Sequence, residues 1–116
     1  MSIGGINNTY KLYVDGSIYS TADISAFSDQ SVKDNIRPID NALERVKQSR
    51  GVVYDRTDID ANDNIGFIAQ ELEVNFPELI TTNEDGTKAV KYQNAVAILF
   101  EAIKELSKQI DELKSK

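Results

Sequence analysis

The sequence has 116 residues, with 19 acidic and 13 basic side chains for a net charge of −6, and it contains neither cysteine nor histidine. That length bounds it to one small domain with a modest core, which association with further copies would strengthen, and the acidic balance argues against nucleic acid or an anionic membrane as partner. Without Cys or His there are no disulfides, Cys/His zinc sites, cysteine nucleophiles or Ser-His-Asp arrangements, which leaves carboxylates, lysine, and a hydroxyl served by something other than histidine.

Residues 1–27 are punctuated by glycine and asparagine, with alternating apolar positions at Leu12, Val14 and Ile18. The pattern predicts strands and turns, with a hairpin at Asp15-Gly16. Two strands this short are unstable alone, so the segment reads as the end of a larger β-rich or oligomeric body. The apolar runs fall far short of the roughly 20 residues that cross a bilayer, and the N-terminus lacks a signal-peptide apolar core, so a soluble chain is expected.

Beyond residue 37 the vocabulary turns helical. "PIDNALERVKQSRG" predicts a helix that opens near Pro38, aligns Ile39, Leu43 and Val46, and stops at Gly51. "VVYDRTDI" predicts a short strand. "NIGFIAQELEVNF" predicts an amphipathic helix with Ile65, Ile68, Leu72 and Phe76 inward, ended by Pro77. "ELITTNEDGTKAVKY" predicts a hairpin turning at Asp85-Gly86.

The last segment carries the cleanest periodicity. Val96, Leu99, Ile103, Leu106, Ile110 and Leu113 recur at alternating spacings of three and four, a heptad seam that Tyr92 and Ala89 extend backwards. Two readings fit: self-association, or packing of an amphipathic helix on its own domain. β-branched residues at one core position with leucine at the other favour a parallel dimer, whereas Phe100 and Ala102 beside the seam widen the apolar face towards a trimer. The fold class expected is α+β and helix-rich, with short strands and hairpins, amphipathic helices and a C-terminal coiled-coil helix in a trimer.

Two stretches invite a chemical reading. "DIDAND", residues 58–63, has the Asp58, Asp60, Asn62 spacing of a calcium loop, yet Asp63 stands where the sharp turn needs glycine and Ala69 where a bidentate glutamate is required. It is read as an acidic surface loop, and no metal is assigned. No glycine loop for phosphate is visible either, and no cofactor is expected. "SDQSVKDN", residues 28–35, sets Lys33 five positions after Ser28. A neutral lysine amine can act as base towards a serine hydroxyl. On a flat strand the two side chains would point to opposite faces, so their meeting requires a bend near Asp29 to Ser31. A solvated polar turn is the other reading of these residues.

"SDQSVKDNI", followed by "ALERV", "GVVYD", "NIGFIAQELEVNFPELI", "KAVKYQNAVAILFEAIKEL" and the heptad tail, resembles the intramolecular chaperone auto-processing domain that ends phage tailspikes, tail fibres and endosialidases. The resemblance runs from about residue 26 onward. It implies a fibre-stem end at 1–27 and a chaperone domain at 28–116, with a coiled coil over about 92–116. It further implies a homotrimer that folds the upstream fibre segment of the same chain. The precursor would be assembled in the host cytoplasm, the fibre carried on the virion, and the chaperone part shed. Cleavage would fall at Phe27-Ser28, with Ser28 as nucleophile and Lys33 as base in a single-turnover serine peptidase. The family pattern usually has arginine three positions after the serine; here that position is Ser31.

Overall fold

The computed structural model describes residues 1–116 and divides by contacts into two units, Met1–Ile36 and Arg37–Lys116. In the first, strand β1 (Ser2–Ile3) pairs in parallel with β2 (Tyr13–Val14). The expected hairpin at Asp15-Gly16 is therefore not formed. Asp15 instead donates its amide to the Ile3 carbonyl at 2.7 Å, which draws the chain alongside β1 rather than back along β2. Leu12 and Ile18 are exposed, and no residue of this unit is buried.

The second unit contains α1 (Ala42–Lys47), β3 (Val52–Tyr54), β4 (Asn64–Gly66), α2 (Ala69–Asn75), β5 (Ile80–Thr82), β6 (Lys88–Val90) and the 20-residue α3 (Ala95–Lys114). β3 pairs antiparallel with β4 and β5 with β6, so the architecture mixes helices with separate two-stranded sheets. Its core is Ala42, Leu72, Phe76, Leu79, Ile98 and Ala102, contributed by all three helices and the turn after α2, with Ile39, Leu43 and Val46 packed against it.

Helix α1 is far shorter than the span 38–51 suggests. Asn41 adopts φ 53°, a left-handed conformation that stops helical geometry from extending towards Pro38. At the other end Ser49 Oγ donates to the Arg45 carbonyl at 2.9 Å and occupies an end group. Six residues cannot hold a helix by themselves. Glu105 on α3 supplies what the sequence beside α1 does not: its carboxylate accepts from the Ala42 amide at 3.2 Å and the Leu43 amide at 2.7 Å. Arg45 ties the same helix to α2. Its guanidinium donates to the Asn75 carbonyl at 2.9 Å, lies 4.4 Å over the Phe76 ring and pairs with Glu78.

The expected helix from Asn64 to Phe76 is instead a strand followed by a helix. Asn64–Gly66 is drawn into the ladder opposite Val52–Tyr54, so Ile65 faces Val53 across the sheet and is 84% exposed rather than inward. The Phe67 amide then donates to Tyr92 Oη at 3.0 Å, while the two rings stack with centroids 5.6 Å apart. Gly66 makes that approach feasible, since a Cβ there would lie 2.5 Å from Tyr92 Oη. Leu72 and Phe76 are buried as the spacing implies, whereas Ile68 is exposed; Pro77 ends α2 and opens the next turn. The β5–β6 hairpin turns at Asp85-Gly86, with Gly86 at φ 88° and Asp85 Oδ1 accepting from the Thr87 amide at 3.0 Å.

Glu105→Ala should strand two partly buried N–H groups and lower stability by about 1–3 kcal/mol, read from the midpoint of denaturant unfolding. Glu105→Gln keeps an acceptor and should lose less; equal losses would mean that the carboxylate does not cap α1.

Candidate functional site

The residues singled out around the serine are brought together. From Asp29, at φ −71° and ψ 141°, the backbone enters a single 3-10 turn over Gln30–Val32 and leaves it at Lys33, again extended. Val32 donates its amide to the Asp29 carbonyl at 3.3 Å, and Lys33 donates its own to Gln30 at 3.1 Å. Asp29 Oδ1 accepts from the Ser31 amide at 2.8 Å, a side-chain cap on the turn's open end. Hydrogen bonding from the Ser31 side chain and then from its amide holds the Asp29 carboxyl below its usual range. Across this bend Lys33 Nζ donates to Ser28 Oγ within the same chain.

The bend lies where contact between Ser28 and Lys33 requires it. An extended path over five residues covers about 16 Å, too far for the two side chains to bridge, whereas each 3-10 residue advances only about 2 Å. Asp34 Oδ1 then accepts from the Asn35 amide at 2.7 Å, and Asn35, at φ 54°, turns the chain again. Asp29 was not singled out by the sequence reading. An acid directly before a three-residue turn, two positions ahead of the amide that it caps, is the signal that could have marked it.

A serine and an amine that must meet out of water need neighbours that are at least partly buried, but Phe27 and Ile36 are 79% and 72% exposed, and every residue from 21 to 36 is exposed. No side chain of this segment packs into a core, so its conformation rests on local hydrogen bonds.

The seam residues Val96, Leu99, Ile103, Leu106, Ile110 and Leu113 all lie on α3 and are 44–67% exposed. The face of α3 turned to its own unit is a different one, marked by Ile98, Ala102 and Glu105. Two details of the expected seam change. Ala89 lies in β6 and not on the helix, so the seam does not extend to it, and Ala102 is buried and does not widen the exposed face as Phe100 does. In the acidic loop, Arg56 pairs with Asp58 through two hydrogen bonds and keeps that carboxyl below its usual range, and Asp55 Oδ1 accepts from the Asp63 amide at 2.9 Å. These carboxylates are used inside the loop. No helix is long and apolar enough to cross a membrane.

Comparison with known proteins adds the context of this geometry. Residues 28–81 match the family described as chaperone of endosialidase, a family that also carries a peptidase designation, and the match begins at Ser28. Similar proteins include the long tail fiber protein Gp37 of Enterobacteria phage K3, 37% identical over 117 residues that take in 90% of this chain and 9% of the relative. The Gp37 of Enterobacteria phage Ox2 is 32% identical over 126 residues, 97% of this chain and 50% of the relative. That of Salmonella phage S16 is 30% identical over 118 residues, 93% of this chain and 16% of the relative. The chain thus spans from under a tenth to half the length of these relatives.

Proposed function

We propose, from the match of residues 28–81 to the chaperone-of-endosialidase family, that the chain is the intramolecular chaperone of a phage tail fibre, which trimerises and folds the fibre ahead of it and is then released by self-cleavage at Phe27-Ser28. The observation that carries this reading is the hydrogen bond between Lys33 Nζ and Ser28 Oγ, made within one chain at the residue where the family match begins. The tail-fibre context rests on the similar Gp37 proteins.

The chemistry is a single acyl shift followed by hydrolysis. Lys33, as the neutral amine, takes the hydroxyl proton while Ser28 Oγ attacks the Phe27 carbonyl carbon directly before it in the chain. The Phe27–Ser28 C–N bond breaks, and the Ser28 nitrogen receives the proton that Lys33 carried. The resulting ester joins the Phe27 carbonyl to Ser28 Oγ. Water opens it, leaving a carboxylate on Phe27 and a free amine and hydroxyl on Ser28. Exclusion of water favours the neutral amine, and neighbouring chains of a trimer would supply it.

A second reading, a trimerisation adaptor that never cuts, is favoured by the exposure of residues 21–36 and by Ser31 in the place of arginine. Mass spectrometry of freshly expressed protein separates the two. The proposed chemistry yields a fragment beginning at Ser28; only intact chain would leave the adaptor. Ser28→Ala should abolish the fragment while preserving trimers. Lys33→Arg should abolish it as fully as Lys33→Ala, because arginine stays protonated.

Whether the base comes from the same chain is tested by co-expressing Ser28→Ala and Lys33→Ala chains. The intra-chain contact predicts no fragment in mixed trimers, and release of one from the Lys33→Ala chain would assign the base to a neighbour.

The seam gives a third test. The wild-type chain should sediment as a trimer, and Ile103→Asp with Leu106→Asp should reduce it to monomer, because each carboxylate would be buried without a partner in the assembled helices. A double variant of wild-type mass would place the interface elsewhere.

A further inference from the structure

We infer that Asp29 is the positioning residue of the Ser28–Lys33 pair: its carboxylate caps the one turn that carries Lys33 back onto the serine. The inference rests on the self-cleavage reading for its functional meaning, but its structural content stands on separate observations. The turn is three residues long, has no buried residue and lies in a stretch where every residue from 21 to 36 is exposed. Apolar packing, which stabilises most short helical segments, contributes nothing here. What holds Gln30–Val32 is the pair of backbone bonds closing it and the bond from the Ser31 amide to Asp29 Oδ1 at 2.8 Å.

In a turn held this way, losing one bond shifts the population of the conformer itself. The Ser31 amide is the donor that Asp29 Oδ1 accepts, and hydrogen bonding from Ser31 holds the Asp29 carboxyl below its usual range. Thus the residue standing where the family has arginine is engaged with the residue that caps the turn. Asp29 touches neither Ser28 Oγ nor the lysine amine among its described bonds, and acts on them only through the backbone path.

The test compares Asp29→Ala with Asp29→Asn in the full chain, since asparagine caps a turn about as well as aspartate and alanine does not. With both variants still trimeric by sedimentation, Asp29→Ala should slow release of the fragment beginning at Ser28 by about fivefold, and Asp29→Asn should restore the rate to within about twofold of wild type. An unchanged rate in Asp29→Ala, or equal slowing in both variants, would overturn the assignment. So would loss of the trimer in Asp29→Ala, which would make the residue a general structural one. If the wild-type chain releases no fragment, self-cleavage fails, and the nuclear Overhauser contact between the Ser28 β-protons and Lys33 ε-protons decides the positioning role. Its loss in Asp29→Ala with retention in Asp29→Asn supports the role, and its persistence in Asp29→Ala refutes it.

Discussion

The second unit depends on the carboxylate of Glu105. A six-residue helix lies well below the length at which helices persist in water, and α1 has no side-chain cap of its own: Asn41, at the cap position, is left-handed and makes no such bond. Glu105, 63 and 62 positions away from the two amides that it accepts, closes that end and clamps α1 against α3. Ala42, at 0% exposure, is what the clamp allows: a side chain small enough for the two helices to meet closely beside Ala102. Arg45 then carries the connection onward to Asn75, Phe76 and Glu78, so α2 is held through α1.

This arrangement divides the surface of α3. Ile98, Ala102 and Glu105 form one stripe at spacings of four and three, and Leu99, Ile103 and Leu106 form the same stripe shifted by one residue. One residue is about 100° around a helix. Commitment of the first stripe to the chain's own core therefore leaves the second facing elsewhere, and the six seam residues from Val96 to Leu113, of which it is the middle, remain exposed. The two readings of the heptad pattern were thus not exclusive: α3 packs on its own domain through a face that the heptad count does not use. Exposed apolar residues in such a continuous stripe favour a helical partner of the same kind.

Much of the second unit was legible because its signals are local or periodic. The Asp85-Gly86 turn, the stop at Pro77 and the burial of Leu72 and Phe76 needed only neighbouring residues. What misled were competitions decided at a distance. Ile65 matches helical spacing with Ile68 and Leu72, but pairing with Val53 and the close approach of Tyr92 to Gly66 outweigh it. Leu43 and Val46 sit on the expected face of α1, yet nothing beside Asn41 in sequence announces that its cap comes from Glu105. In the first unit the alternation of Leu12, Val14 and Ile18 suggested a hairpin, whereas the pairing formed is parallel. At the candidate site the bend is legible as a geometric requirement of Ser28 and Lys33, whereas the cap that Asp29 places on it depends on a backbone conformation that the residue types alone do not specify.

The candidate site separates two requirements that most active sites meet together. Geometry is supplied by six consecutive residues, 28–33: a capped turn closed by two backbone bonds brings Lys33 to Ser28 without help from a core. Seclusion from water is not supplied there, since Phe27, Val32 and Ile36 stand in solvent in the single chain. A reaction that needs a neutral amine would then have its atoms in place before it has its environment. Under the proposed reading this order suits a single-use cut. Local hydrogen bonds can form as soon as residues 28–35 exist, whereas exclusion of water must await chains that cover the apolar side chains flanking the bond. Under that reading, covering Phe27, Val32 and Ile36 on association would change what surrounds the lysine, and the cut would follow assembly rather than precede it.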